Sequence, residues 1–351
     1  MRRVSRIAVA GVASAALAVT ISACGSTSSS SSSSSAGDDK NLGLALAYDI
    51  GGKGDQSFND AATAGMEKAD KEFGYKSTAV EPQDGESDAD KVQRLENLAR
   101  QGYNPVIGVG FAYAPAVKEV AAKFPKVTFG IVDDNTIKAD NVADLVFHEE
   151  QASYLAGVAA AKATKSNVVG FIGGVDIPLI HKFGAGFKQG VQDTKKGVTV
   201  KEQYLTETAA EGGFSSPDKG ESAAEGQIDA GADVVYAAAG LSGQGVIKAA
   251  NANKVWAIGV DSDQYKQDAL KAYKASILTS AMKNVEGAVF ELAKSVEDGK
   301  PQSGEIRGSL SNGGVSLSAS NPAFSGNKEI QDAVNKAAEG IKSGTITVKS
   351  S

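Results

Sequence analysis

Short apolar runs alternate with longer segments of helical period along most of this chain. The runs fall at 42–47, 76–80, 105–109, 127–132 and 143–147, and a second set follows at 167–172, 198–204, 233–238, 255–260 and 277–281. Most of them are nearly continuous in apolar residues instead of alternating with polar ones, which predicts parallel strands buried on both faces. Helices are predicted between them, for example at 86–101, 149–164, 215–230 and 263–273. The 149–164 segment carries Glu149 and Glu150 in its first turn and lysine near its end, the charge order that suits a helix dipole. Ten strands are better divided between two sheets than held in one. The expected fold class is α/β, two doubly wound parallel-sheet lobes joined by a hinge. The expected N-terminal lobe is 41–135 plus about 262–282, the C-terminal lobe 136–261 plus about 283–351. Hinge crossings are expected near 134–145, 261–266 and 281–285.

Ahead of residue 41 the pattern breaks. Residues 1–23 combine a basic start, "MRRVSRIAV", with a short alanine-rich apolar run, which marks a secretory signal peptide and not a stable membrane span. Arg2 and Arg3 hint at twin-arginine export, but the flanking residues favour the general route. "ISAC", ending in Cys24, resembles a bacterial lipobox. That resemblance makes Cys24 an acylated mature N-terminus, and acyl chains bind membranes by burying methylenes. Cys24 is the single cysteine, so no intrachain disulfide forms. Residues 24–40 are rich in serine and read as a tether with a mean reach of roughly 20 Å. The expected location is the extracytoplasmic face of the cell membrane, lipid-anchored.

The chain has 351 residues and a formal net charge of −6, which becomes more acidic once the arginines of residues 1–23 are removed. Nothing basic and aromatic is clustered as nucleic-acid binding requires. No run after the signal is long and apolar enough to span a bilayer.

Three predicted strands end on aspartate: "LGLALAYD" on Asp49, "VTFGIVD" on Asp133 and "VWAIGVD" on Asp261. Ligands of open parallel sheets sit at the carboxyl ends of strands. An aspartate there also caps a turn or helix well. Three at equivalent places on both lobes favour ligand binding. A fourth strand runs into "AAAGLSGQG", whose Gly240 opens a helix without matching a dinucleotide or P-loop pattern. It suits close backbone approach at a cleft. Phe58, Phe183 and Phe214 lie in or beside glycine-rich segments, where two rings on separate lobes can sandwich a flat ligand. The connection "DIGGKGDQSFND" between a strand and a helix is longer than such links usually are.

An enzyme is not expected. His148 and His181 stand about thirty residues apart without a cysteine partner, so no zinc set is recognisable. Neither a G-x-S-x-G elbow nor a Ser–His–Asp order is present. No metal and no cofactor are expected.

The blocks "DIGGKGDQSFND", "PVIGVGFAY", "VTFGIVDD", "NVADLVFHEEQASYLAGVAAA", "VVGFIGGVDIPLIHKFGAGFKQG", "GADVVYAAAGLSGQGV", "IGVDSDQY" and "ILTSAMKN" resemble, in order, the basic membrane protein (BMP) family. These are bacterial lipoproteins similar to the purine nucleoside receptor type. The resemblance spans about 41–318 and implies the type I periplasmic-binding-protein fold, with delivery of nucleosides, purines foremost, to an ABC importer. It implies Phe58 as a base-stacking ring, Asn59 and Asp133 at the base edge, and Asp261 with Lys283 on the ribose hydroxyls. Gly240 and Asp49 line the same cleft. Phe214 matches the family's second aromatic within a longer loop, and Phe183 stands where ribose-binding relatives place an arginine. Either one is the candidate second ring. The implied partners are a nucleoside, an ABC permease and, through the lipid, the membrane, with no nucleic acid and a monomeric state. A sugar or autoinducer receptor of the same fold, or a lipoprotein with a signalling or adhesive role, is the alternative.

Overall fold

A computed structural model describes residues 42–351 other than Asp84. The signal peptide, Cys24 and the tether lie outside the described residues.

Five strands come first: β1 (Ala45–Ala47), β2 (Thr78–Val80), β3 (Val106–Gly108), β4 (Phe129–Val132) and β5 (Val142–Phe147). Five more follow: β6 (Val168–Val175), β7 (Thr199–Thr206), β8 (Val234–Ala238), β9 (Trp256–Asp261) and β10 (Ile277–Lys283). The chain then returns to each sheet once, through β11 (Gly304–Gly308) and β12 (Val315–Leu317). The sheets have matching orders, β11-β5-β4-β3-β1-β2 and β12-β10-β9-β8-β6-β7. The first is wholly parallel; in the second only β12 runs antiparallel, against β10.

Helices cover both faces: α1 (Phe58–Phe73), α2 (Asp88–Gln101), α3 (Ala114–Lys123), α4 (Glu149–Ala163), α5 (Pro178–Thr194), α6 (Pro217–Asp229), α7 (Gly243–Ala252), α8 (Val285–Glu297), α9 (Pro322–Ser325) and α10 (Lys328–Lys342). Helix α8 packs on α1 in the first lobe, and α10 on α4 in the second. Helices α4 and α5 meet almost backbone to backbone, because Gly157 faces the Phe187 carbonyl and Gly190 faces that of Tyr154.

All ten predicted strands are present: the eight inner ones are mostly buried, as parallel strands covered by helices must be, whereas β2 and β7 are edge strands with no buried residue. Their distribution between lobes differs from expectation. β5, expected in the C-terminal lobe, pairs with β4 in register Phe129↔Val142 and belongs to the first sheet. The connection from β4 to β5 carries no helix, which made it resemble a hinge. β10, expected in the N-terminal lobe, pairs in parallel with β9 and is buried along its length, so it stays in the second sheet. β11 lies beyond residue 283, yet it adds to the edge of the first sheet beside β5. The chain therefore passes between lobes at 147–149, 283–285 and 308–315. Only the expected crossing at 281–285 coincides with one of these; 134–145 and 261–266 lie within lobes. The predicted helix 263–273 is a string of 3-10 turns at Gln264–Lys266, Asp268–Leu270 and Lys274–Ser276.

Candidate functional site

The carboxyl ends of both sheets face one another across a cleft that remains partly open to solvent. All nine residues singled out from the sequence line it: Asp49, Phe58, Asn59, Asp133, Phe183, Phe214, Gly240, Asp261 and Lys283. Asp55, Phe111, Leu179 and Ile180 line it too and had not been foreseen.

At the hinge side, Lys283 ends β10 with its side chain only 5 % exposed. Its Nζ donates to Asp133 Oδ2 at 2.7 Å and lies 3.5 Å from Asp261 Oδ1. The ammonium also sits 4.5 Å from the centre of the Phe58 ring and 5.7 Å from those of Phe147 and Phe183. Burial works against its charge, but Asp133, Asp261 and Glu149 outweigh burial and raise its pKa above the ordinary lysine value. Asp133 Oδ1 and Asp261 Oδ1 are buried and accept no hydrogen bond among the described residues. Such atoms are costly unless a donor arrives. Asp133 and Asp261 both hold a left-handed backbone, with φ of 68° and 62°. That conformation is unusual outside glycine, and the surrounding structure must enforce it.

At the other side, Asp49 follows β1. Its carboxylate accepts from the Ile50 N–H at 2.8 Å and lies against Gly110. Gly110 has a φ of 110°, and a side chain there would strike the carboxylate. Burial lifts the Asp49 carboxyl to about 7, the Ile50 N–H opposes this, and the charge of Asp133 adds to it. Asn59 is 1 % exposed. Its side-chain oxygen accepts from the Asp49 N–H at 3.1 Å, and its Nδ2 donates to Asp55 Oδ2 at 3.2 Å. Its carboxamide thus braces the loop and has one N–H left over.

Phe214 reaches the cleft from the loop before α6. Its ring covers Gly174, and its carbonyl faces Gly240 and Gly51. Gly240 has a φ of 52°, which lets the chain turn from β8 past that carbonyl. Phe183 is buried on α5, and its ring centre lies 5.7 Å from Lys283 Nζ.

Glu149 and Phe147 were not singled out from the sequence. Glu149 is 2 % exposed at the start of α4, and burial pushes it up to about 7, with Asp133 adding to the shift and Lys283 and Lys182 opposing it. The acids opening α4 carried only a helix-dipole signal in the sequence, which hid this position. His148 bonds Glu150 and His181 bonds Asp176, and neither lines the cleft. Among the described residues no group of His, Asp and Glu is arranged to hold a metal ion. No described helix is long and apolar enough to cross a membrane.

The pattern of the Bmp family, described as "ABC transporter substrate-binding protein PnrA-like", matches residues 44–351. A relative from Lactococcus lactis subsp. cremoris, named ABC transporter nucleoside-binding protein BmpA, is 37 % identical over 88 % of this chain and 90 % of its own length. An uncharacterized lipoprotein of Pyrococcus horikoshii is 33 % identical over 79 % of this chain and 68 % of its own. Among solved structures, a solute-binding protein of an ABC transporter system from Aeropyrum pernix K1 superposes with a TM-score of 0.75 at 28 % identity, covering 88 % of this chain and 94 % of that one. The two parallel-sheet lobes are those of type I solute-binding proteins. The chain belongs to the Bmp family of PnrA-like substrate-binding proteins of ABC transporters.

Proposed function

We propose that this protein is a lipid-anchored receptor on the extracytoplasmic face of the membrane that captures nucleosides, purines foremost, and delivers them to an ABC importer. One observation carries the reading: Lys283 is held between Asp133 and Asp261 beneath the Phe58 ring, and each aspartate keeps one buried oxygen without a donor. A nucleoside supplies what such a site lacks. Its ribose has two vicinal hydroxyls that donate to the Asp261 carboxylate and accept from Lys283. Its base has a flat face for Phe58, and N–H groups for Asp133 and Asp49. Asn59 holds the loop that carries Phe58. Phe183 and Phe214 both line the cleft, and either one supplies the second stacking ring. Gly240 leaves room beside Phe214.

The charge balance favours a neutral ligand. Asp49, Asp133 and Asp261 line the cleft with one lysine, so a phosphate meets repulsion without a basic cradle. The name of the Lactococcus relative points the same way. Acylation at Cys24 supplies the anchor, and the receptor acts as a monomer. The lobes close on the ligand about the three crossings and shield it from water. Catalysis has no part in this reading.

A thermal-shift panel of nucleosides, free bases, nucleoside monophosphates and simple sugars tests it. Stabilisation by adenosine, guanosine or inosine, with none by the monophosphates, is the expected result. Stabilisation by ribose or galactose alone would replace the nucleoside reading with a sugar receptor.

A further inference from the structure

Ser57 sits at the N-cap of α1 without capping it. A serine there ordinarily accepts from a backbone N–H two or three residues on. Ser57 Oγ makes no such bond. The Asp55 carboxylate does that work, accepting from the backbone N–H groups of Ser57 at 2.9 Å, Asn59 at 2.8 Å and Asp60 at 3.1 Å. The Ser57 hydroxyl is thereby released. It reaches the second lobe, donating to Asp261 Oδ2 at 2.8 Å and lying 3.2 Å from the Val260 carbonyl. A hydroxyl carries one proton, and the shorter bond to a carboxylate is the stronger of the two.

The rest of the loop is fastened across the same boundary. Ser262 Oγ donates to the Ser57 carbonyl at 2.6 Å, Gln264 Nε2 to the Gln56 carbonyl at 3.1 Å, and Gln244 Nε2 to the Gly54 carbonyl at 3.0 Å. Ser57 and Ser262 are buried, and Gln264 is 1 % exposed. Only the Ser57 hydroxyl, however, touches a side chain that faces the ligand space. It occupies Oδ2 of Asp261, which lines the cleft, and leaves Oδ1 buried, 3.5 Å from Lys283 Nζ and without a hydrogen bond among the described residues.

We propose that Ser57 is a positioning residue for ligand selection. It fixes the Asp261 carboxylate so that Oδ1 is presented to the ribose, and it makes that orientation depend on the loop being seated on the second lobe. This deepens the nucleoside reading and rests on it. A loop fastener alone would strengthen all ligands alike; a positioning residue alters the preference for ribose over deoxyribose.

The test is calorimetric titration of adenosine, 2′-deoxyadenosine and adenine into the full-length protein and its Ser57→Ala, Ser57→Thr and Ser262→Ala variants. The parent should favour adenosine over 2′-deoxyadenosine by about tenfold, the scale set by one unpaired buried acceptor. Ser57→Ala should reduce that ratio to about threefold or less on the same scale, with adenine affinity nearly unchanged. Ser57→Thr, which keeps the hydroxyl, should restore it. Ser262→Ala should weaken both nucleosides by a common factor. Should Ser57→Ala not fold, Ser57→Gly serves instead, since glycine is tolerated at an N-cap. A parent ratio retained in the variant lacking the hydroxyl would overturn the positioning role alone. A parent that binds none of the three compounds would overturn the nucleoside reading, and this role with it.

Discussion

Asp133 and Asp261 end equivalent strands of two different lobes in the same left-handed conformation, and they approach one ammonium, Lys283 Nζ, at 2.7 and 3.5 Å. The matching sheet orders explain the symmetry: β4 and β9 hold the same place in their sheets. Each strand end turns its aspartate inward, and β10 brings the lysine between them. The two lobes thus share one charge cluster at the cleft, close to the crossing at 283–285.

Removing the lysine leaves two buried carboxylates facing each other. Breaking a buried pair by deleting one partner costs about 3–5 kcal/mol. Lys283→Met should therefore lower the urea midpoint of the ligand-free protein and abolish nucleoside binding. Adding Asp133→Asn to it removes one uncompensated charge, and should recover at least part of the stability but not the binding. A double variant no more stable than Lys283→Met would show that the cluster is not a coupled unit.

Phe58 bears on both ends of the ligand, since its ring lies over Lys283 and lines the base side of the proposed site. Stacking of a base on an aromatic ring is worth about 1–3 kcal/mol. Phe58→Ala should weaken adenosine and adenine by comparable factors, about tenfold or more within that range. Isothermal titration of both compounds checks this, and undiminished adenine affinity would remove the stacking role.

Much of this architecture is legible in local pattern, and the remainder is not local. Continuous apolar runs reveal the eight inner strands, and the aspartates that follow or end β1, β4 and β9 reveal the cleft. Sheet membership is another matter. β5 and β10 are apolar whichever sheet they join, so only their hydrogen-bonded neighbours decide it. β11, "GEIRG", is a polar edge strand with no apolar period to mark it. Ser57 looks like an ordinary helix cap and Glu149 like an ordinary first-turn acid. Their other contacts come from tertiary folding: Ser57 reaches Asp261, 204 residues away, and Glu149 is buried near the charge cluster.

Asp49 gives the protein a pH-dependent stability. Its carboxyl is raised from 3.8 to about 7. Between those values the folded state holds a proton that the unfolded chain has released, so stability falls as pH rises through this window and levels off above it. A shift of one unit corresponds to 1.36 kcal/mol, and solvent access to the cleft reduces the full effect to about 2 kcal/mol. Asp49→Asn cannot ionise. It should match the parent near pH 4 and melt several degrees higher near pH 8. Melting curves across pH 4–8 make the comparison, and parallel curves for the two proteins would show that Asp49 does not titrate in this range.

The lipid anchor is separable from binding. Cys24→Ser should abolish acylation and release the protein from membranes into the soluble fraction, with nucleoside affinity unchanged, because the described residues that line the cleft lie between Asp49 and Lys283. Fractionation of cells, with mass measurement of the released chain to establish whether the signal peptide has been removed, decides it. A processed variant still bound to membranes would overturn the anchor.

The last prediction concerns closure. The loop before α1 is bonded to the second lobe through Ser57, Gln56 and Gly54, so in the described arrangement the lobes already touch. The interlobe hydrogen bonds are few, and each is worth about 1 kcal/mol net. Ligand-free protein should therefore populate an open form, and binding should shift the population toward the closed one. Small-angle scattering should show a smaller radius of gyration with saturating adenosine than without it. Replacing Gln244 and Gln264 together with alanine removes two of the bonds outside the proposed ligand contacts. That variant should be more open without ligand, show a larger compaction on binding, and bind adenosine more weakly. An identical radius with and without adenosine, in protein shown by calorimetry to be saturated, would count against lobe motion about the three crossings.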